Sequence, residues 1–209
     1  MVQFMQTEVL SADHPVALRH AVDIVNNGGT VAFPTDTVYG LAVSPLNQEY
    51  IERIFVVKGR NSSRAIAVLI GDISQLDRIA ESPGELALRL AGQFWPGPLT
   101  LIVPRNPELP HTLATTPTIG VRIPDHPVAL KLLRMAGPLA VTSANISGQE
   151  NTNTAQEVLD QLAGRIHLII DGGRTPGGIP STVVDCTKPK PVILRPGPIS
   201  MAEIQSVLG

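Results

Sequence analysis

The chain has 209 residues, a formal net charge of -2 and a pI of about 6.2, so no overall positive field attracts it to nucleic acid or an anionic membrane. Its length suits one large domain or two small ones, and a hydrophobic content of 43% is enough for a core. The single cysteine, Cys186, excludes an internal disulfide, and the sequence shows neither a signal segment nor an apolar run of about 18 residues. We therefore expect a cytoplasmic protein that does not enter a membrane.

The first strongly patterned stretch predicts a helix, a short strand and then a polar turn. Apolar residues between Ala17 and Val25 recur at helical spacing. Val31–Phe33 is typical of a buried strand, and Pro34 ends it because proline has no N–H for a strand ladder. Residues 35–40 then bring hydroxyls, a carboxylate and a phenol. Ligands of α/β proteins bind outside strand ends, so this turn is the first candidate site, although a capped turn without function explains it equally well.

The rest of the chain mixes predicted strands and helices without strict alternation. Further strands are predicted at 65–70, 99–103, 118–123, 139–141, 168–170, 183–184 and 192–194. The predicted helix caps are Asp13, Asn47, Ser82, Asp125, Thr154 and Ser200. Because no linker or change of composition divides the chain, we predict a single α/β domain over residues 1–209. Its sheet is expected to be twisted, with parallel and antiparallel strands and flanking helices.

Several standard motifs of phosphate sites, metal sites and nucleophiles are missing from the sequence. It contains no GxxxxGK[ST], GxGxxG, HExxH, CxxC or GxSxG pattern, and its five histidines show no metal-ligand spacing. Cys186 lies in a predicted strand and is typical of an inert core thiol. The sequence therefore favours neither covalent catalysis nor a metal held by the protein.

Polar side chains gather instead at the predicted ends of strands and helices. They are Thr35, Lys58, Arg60, Arg122, Ser143, Asn145, Ser181 and Arg195. The four cations among them suit an anionic ligand, since lysine offers a point charge and arginine a planar fork. This pattern indicates a nucleotide triphosphate together with a carboxylate ligand. For Arg122 a structural salt bridge is an equal alternative, because a guanidinium in a short apolar strand needs a partner or an open cleft.

Seven short motifs, in order along nearly the whole chain, carry a family resemblance. They are PTDTVYGL at 34–41, KGR at 58–60, WPGPLT at 95–100, VRIPDHP at 121–127, SANISG at 143–148, STVVD at 181–185 and LRPG at 194–197. With them the chain resembles the YrdC-like threonylcarbamoyl-AMP synthase family, in its short single-domain form. The resemblance implies a twisted α/β sheet around a positively charged cavity.

The resemblance also implies an activity and its partners. L-threonine, bicarbonate and ATP would give threonylcarbamoyl-AMP and pyrophosphate, with Mg²⁺ accompanying ATP and no metal tightly bound by the protein. Downstream proteins would transfer the threonylcarbamoyl group to tRNA, and contact with tRNA itself stays open.

Matching positions imply the site residues. Threonine would be held by Thr35, Arg122, the backbone at Val141 and Ser181, with Arg122 on the carboxylate. ATP would be held by Lys58, Arg60, Ser62, Thr118, Ser143, Asn145, Asn151 and Arg195, with Lys58 and Arg60 as the catalytic cations.

Two other functions are alternatives to the synthase hypothesis. An RNA-binding module would use the same local charge, but the acidic pI and an aromatic content of 3% count against it. A transferase that passes a carbamoyl adenylate to another acceptor would use similar chemistry, but such domains usually sit inside longer chains.

Overall fold

A computed structural model describes residues 5–59 and 65–209, and the predicted site residues Arg60 and Ser62 lie outside this part. The strands are β1 Glu8–Ser11, β2 Val31–Phe33, β3 Gly40–Val43, β4 Ala67–Leu69, β5 Leu99–Pro104, β6 Thr118–Arg122, β7 Leu139–Ser143, β8 Leu168–Asp171, β9 Thr182–Asp185 and β10 Val192–Arg195. The helices are α1 Ala17–Asn26, α2 Gln48–Lys58, α3 Glu85–Phe94, α4 Pro127–Ala136, α5 Ala155–Leu162 and α6 Met201–Leu208. Short 3₁₀ turns cover Ile73–Arg78 and His111–Leu113.

The strands of the described ranges join into one ten-stranded sheet with the order β1-β8-β2-β3-β7-β4-β6-β5-β9-β10. β8 runs parallel to both β1 and β2, and the pairs β4–β6 and β5–β9 are also parallel. The other neighbours are antiparallel. The mixed sheet with flanking helices confirms the predicted fold class.

The two faces of the sheet are covered differently, because alternate residues of a strand point to opposite sides. On one face, aliphatic side chains such as Val68 and Val121 pack into a core with α2, α3 and α6. On the other face, α1 and α4 pack over β2 and β8. Beyond these two helices the second face carries Ala67 and Gly120, which line a cavity instead of a core. Part of this sheet face is thus left open to a ligand.

Three of the predicted helix caps are confirmed. The side chain of Asn47 accepts from Glu49 N at 2.8 Å, and that of Thr154 accepts from Glu157 N at 3.2 Å. Ser200 forms a reciprocal capping box at the start of α6. Each cap satisfies an N–H group that the first helical turn leaves without a partner.

The other three predicted caps are wrong. Helices α1, α3 and α4 begin after Val16, Gly84 and His126, one to three residues later than the Asp13, Ser82 and Asp125 caps imply. None of the three observed caps makes a side-chain capping bond. In α4 the fixed backbone of Pro127 sets the first turn instead.

Strands β1 and β3 were not predicted. Strand β3 carries only small and aliphatic residues, all of them buried between β2 and β7, so its sequence shows no alternation. Strand β1 is largely exposed at one edge of the sheet, where apolar patterning is weak. No helix in the described ranges has the length and hydropathy needed to cross a membrane.

Candidate active site

A cavity of about 460 Å³ opens over the part of the sheet that α1 and α4 leave uncovered. Its floor includes two glycines, Gly40 and Gly120. A Cβ placed on Gly40 would lie 2.8 Å from Val141 Cγ1, and one on Gly120 would lie 3.0 Å from Thr100 Cγ2. Larger side chains at these positions would therefore fill the cavity. Its volume is in the usual range for a site that takes a small organic ligand.

The structure brings most of the predicted site residues together around this cavity. The lining includes Thr35, Lys58, Arg122, Val141, Ser143, Asn145, Asn151, Ser181 and Arg195. Thr118 is not among the lining residues; it begins β6 and its Oγ1 lies 2.9 Å from Thr116 Oγ1. Thr118 nevertheless shares the sheet face of Gly120 and Arg122, because residues two apart on a strand point the same way.

The charge of the lining is one-sided. In the described part of the chain it contains three cations, Lys58, Arg122 and Arg195, and no carboxylate side chain. Hydroxyl and amide side chains such as Ser143 and Asn145 stand beside the cations. A cavity with this lining favours ligands that carry negative charge.

Arg122 is held in a buried network that joins three of the motifs. Its Nε donates to Gly97 O at 2.9 Å, its Nη1 to Thr37 Oγ1 at 3.1 Å, and its Nη2 to Asp36 Oδ1. These bonds use three of the five N–H groups of a guanidinium, and the other two have no acceptor among the described residues. The structural salt bridge and the ligand contact are therefore compatible, and burial lowers the pKa of Arg122 although Asp36 opposes this.

The turn after β2 orients the groups around Arg122. Thr35 Oγ1 donates to Val38 O at 2.7 Å and accepts from Thr37 N at 3.1 Å. This local pattern closes the turn and brings the Thr37 hydroxyl to Arg122. Asp36 accepts from Arg122 through Oδ1, and its other oxygen, Oδ2, is buried without a partner in the described ranges. Arg122 is therefore the group that holds this carboxylate.

Lys58 supports the part of the cavity wall that follows β7. It lies at the end of α2, is 2% exposed, and its Nζ donates to Ser143 O, to Asn145 O at 2.6 Å and to Asn145 Oδ1 at 3.0 Å. Ser143 Oγ donates to the same Asn145 Oδ1 at 2.6 Å. The ammonium group thus fixes the turn after β7 and places a positive charge against its polar side chains.

Arg195 reaches the cavity because β10 contains a bulge. Ile193 pairs with Val184 on the core side, and the next pair is Arg195 with Val183, which lines the cavity. Leu194 is the extra residue between them. In a regular strand Ile193 and Arg195, two residues apart, would share a face, and the bulge places them on opposite faces. Arg195 then donates from Nε and Nη2 to Ser181 O, at 3.1 and 2.8 Å. Burial lowers its pKa.

A glycine-rich loop between β8 and β9 lies against the turn that carries Thr35. Tyr39 donates from its hydroxyl to Gly173 O at 2.8 Å, and Gly178 N donates to Thr37 O at 2.7 Å. Tyr39 is fully buried, and burial raises its pKa to about 12. These bonds fix the loop that leads to Ser181, the last residue before β9.

Some lining and neighbouring groups were not assigned a role from the sequence. Asp36 and Thr37 stand inside the PTDTVYGL motif, and the need of Arg122 for a partner was the signal that pointed to them. Thr100 ends the WPGPLT motif and gave no comparable signal. Trp95, which opens the same motif, lies against the core and donates from Nε1 to Leu99 O at 2.7 Å.

Fold and site together define an α/β domain with a cationic cavity over the uncovered part of its sheet, and the described lining of this cavity contains no carboxylate. The family model described as Telomere recombination, covering Sua5, YciO and YrdC, matches residues 23–197. The chain belongs to this Sua5/YciO/YrdC family, which confirms the resemblance read from its motifs.

Relatives of known name are similar over most of this chain. A threonylcarbamoyl-AMP synthase of Bacillus subtilis is 42% identical over 97% of this chain and 59% of its own length. The threonylcarbamoyl-AMP synthase of Pyrococcus abyssi is 42% identical over 92% of this chain and 57% of its own length. The chain therefore spans less than two thirds of these two relatives. A putative threonylcarbamoyl-AMP synthase of Mycobacterium tuberculosis is 37% identical over 90% of this chain and 88% of its own length.

Solved structures agree with this family. Sua5 of P. abyssi complexed with L-threonine superposes with a TM-score of 0.91 and 39% identity, covering 98% of this chain and 61% of that one. Escherichia coli YciO superposes with a TM-score of 0.84 and 31% identity, covering 96% of this chain and 99% of that one.

Proposed function

We propose that this chain forms threonylcarbamoyl-AMP and pyrophosphate from L-threonine, bicarbonate and ATP. The observation that carries the proposal is the convergence of Thr35, Arg122 and Ser181 with Lys58 and Arg195 on one cavity that has no carboxylate in its described lining. The names of the similar synthases and the L-threonine complex of a similar Sua5 support it.

The threonine end of the cavity would be built around Arg122. Its two N–H groups without an acceptor among the described residues suit the two oxygens of a carboxylate. Thr35, Ser181 and the backbone at Val141 would hold the remaining polar atoms of the amino acid. Val141 pairs with Ala67 of β4, and both residues line the cavity.

The ATP end would be built around Lys58, Ser143, Asn145, Asn151 and Arg195, together with Thr118, Arg60 and Ser62. The threonine amine would attack CO₂ derived from bicarbonate, and an oxygen of the resulting carbamate would attack the α-phosphorus of ATP. Pyrophosphate then leaves, and the cations stabilise the charge that develops on the phosphate oxygens. Lys58 and Arg60 are the catalytic cations of this proposal.

Mg²⁺ would enter this site with ATP rather than on protein ligands. In the described part of the chain, no three His, Cys, Asp or Glu side chains are grouped so that they could hold a metal ion. The described cavity lining offers hydroxyl and amide oxygens but no carboxylate, so the ion would be held mainly by the phosphates. Its chemistry would be neutralisation of phosphate charge.

The product is a reactive mixed anhydride, and its use would require a partner. We infer that cytoplasmic proteins which modify tRNA receive the threonylcarbamoyl group.

The test is pyrophosphate release with ATP, bicarbonate and L-threonine, without tRNA. Release should require all three substrates, and Arg122→Ala should raise the KM for every amino acid tested because each has the carboxylate. Arg105→Ala is the matched control, since Arg105 is equally buried but lies outside the cavity lining and donates to Leu109 O. Pyrophosphate release that is independent of any amino acid would refute the proposal. Salt-sensitive RNA binding without turnover would indicate the RNA-binding module instead.

A further inference from the structure

Thr100 and Ser181 form a hydroxyl pair in the cavity wall. Their Oγ atoms lie 2.8 Å apart, and the two residues are 5% and 4% exposed. The pair joins two strands, because β5 runs parallel to β9 with Thr100 opposite Val183, and Ser181 immediately precedes β9. Thr100 has no other side-chain hydrogen bond among the described residues.

The protons of this pair can be counted. Two hydroxyls carry two protons, and the mutual hydrogen bond uses one of them whichever oxygen donates. The only further hydrogen bond to the two hydroxyls in the described ranges comes from Arg195 Nη2, which donates to Ser181 Oγ at 3.1 Å and so adds a proton rather than accepting one. One hydroxyl proton therefore has no acceptor among the described residues.

A hydroxyl proton without an acceptor is costly at a buried position, and it makes the pair a donor toward whatever occupies the cavity. We propose that Thr100 is a specificity-determining residue: together with Ser181 it presents one O–H donor to the side-chain oxygen of the amino acid substrate. This inference rests on the proposed function, and it assigns the selection of a hydroxyl-bearing amino acid to a pair rather than to Ser181 alone.

The free hydroxyl proton of this pair explains why the site would prefer L-threonine to L-valine. L-threonine supplies a hydroxyl oxygen that accepts the free proton, whereas L-valine places a methyl group there and leaves the donor unpaired. Arg195 cannot accept the free hydroxyl proton in place of the substrate, because a guanidinium only donates hydrogen bonds. L-serine keeps the acceptor, so it is expected to lose only the contact of one methyl group.

The experiment compares Thr100→Val, Thr100→Ser and Thr30→Val with the wild type. Thr100→Val keeps the shape of the side chain but removes its hydroxyl. Ser181 then keeps its own proton but loses the hydroxyl partner that fixes the direction of that proton. Thr30→Val is the matched control, since Thr30 is a buried threonine whose hydroxyl lies 3.1 Å from His167 Nδ1 and outside the cavity lining. For each protein, KM and kcat for L-threonine, L-serine and L-valine are measured by pyrophosphate release, with the thermal midpoint as a check on folding.

We expect Thr100→Val to raise the KM for L-threonine by about five- to tenfold, because the hydroxyl direction set by Thr100 is lost. Its preference for threonine over valine should fall by a similar factor. Thr100→Ser, which restores the hydroxyl, should recover the preference, and Thr30→Val should keep it.

An unchanged threonine-to-valine ratio in folded Thr100→Val would overturn the role of Thr100 while leaving the proposed function intact. If the wild type releases pyrophosphate with valine as fast as with threonine, both the pair and the threonine assignment are wrong. The donor role would also be overturned if both Thr100→Val and Thr100→Ser lose the preference for L-threonine over L-valine. The loss would then be due to packing, because Thr100→Ser keeps the hydroxyl. If Thr100→Val does not fold, the serine variant decides, since loss of preference in a protein that keeps the hydroxyl contradicts the inference.

Discussion

Replacing Asp36 by asparagine should reduce stability far more than the loss of an ordinary surface ion pair. Asp36 and Arg122 are paired with side chains that are 11% and 6% exposed, so water screens them little. Breaking a buried pair by removing one charge typically costs 3–5 kcal/mol, since the other charge stays buried without compensation. The amide oxygen of asparagine still accepts from Arg122 Nη2, so we expect about 3 kcal/mol, at the low end of that range.

Urea unfolding at neutral pH measures this loss as a change in the free energy of unfolding. Glu157→Gln is the matched control, because Glu157 pairs with Arg174 at 3.5 Å and these side chains are 39% and 68% exposed. The control should lose about 0.5 kcal/mol or less.

The same substitution should act in the opposite direction on the ligand. Without Asp36 the guanidinium of Arg122 loses its compensating charge, so the affinity for an amino acid carboxylate should be kept or increased while stability falls. Equal stability losses in Asp36→Asn and Glu157→Gln would show that Asp36 does not compensate Arg122. Lost threonine binding in a folded Asp36→Asn protein would show that Asp36 positions Arg122 rather than balancing its charge.

Three further outcomes are expected. Lys58→Met should lower the free energy of unfolding by about 2 kcal/mol or more, because it leaves Ser143 O and Asn145 O without their charged donor. It should also abolish most ATP-dependent turnover. A variant with wild-type stability and turnover would show that Lys58 is dispensable. Between pH 10 and about 12 the thermal midpoint of the wild type should fall more steeply than that of Tyr39→Phe. Burial raises the pKa of Tyr39 to about 12 in the folded protein, against 10 in the unfolded chain. The stability that Tyr39 contributes is therefore full below pH 10 and is lost as the pH rises through about 12. Parallel pH curves for these two proteins would contradict the buried hydroxyl. Cys186→Ser should leave turnover nearly unchanged, and the native thiol should resist alkylation at pH 8, because burial raises its pKa to about 12; rapid labelling of the folded protein would contradict this.

The sequence was most informative where a local pattern dictates the structure. Asn47, Thr154 and Ser200 cap helices because each stands two or three residues before the N–H it satisfies, and that relation is visible in the chain. Strand β3 escaped detection because burial on both faces removes alternation, and a buried strand of four residues then looks like the end of a turn.

In the candidate site, too, the features set by residue type could be predicted from the sequence, and those set by the whole fold could not. The cations and hydroxyls at strand ends could be found by residue type, but their convergence depends on strand order, which no local pattern contains. The partnership of Arg122 with Asp36 and Thr37 spans about 85 residues of sequence, so only the demand for a partner was predictable, not its identity. Thr100 gave no signal because threonine is common in strands.

The bulge in β10 has a consequence for comparing sequences of this family. Ile193 faces the core and Arg195 faces the cavity, although residues two apart in a regular strand share a face. A relative without the residue equivalent to Leu194 would restore regular pairing and still place an arginine opposite Val183. A one-residue gap at this point of an alignment is therefore compatible with an unchanged cavity, whereas alignment without the gap would equate Arg195 with a residue that faces the core.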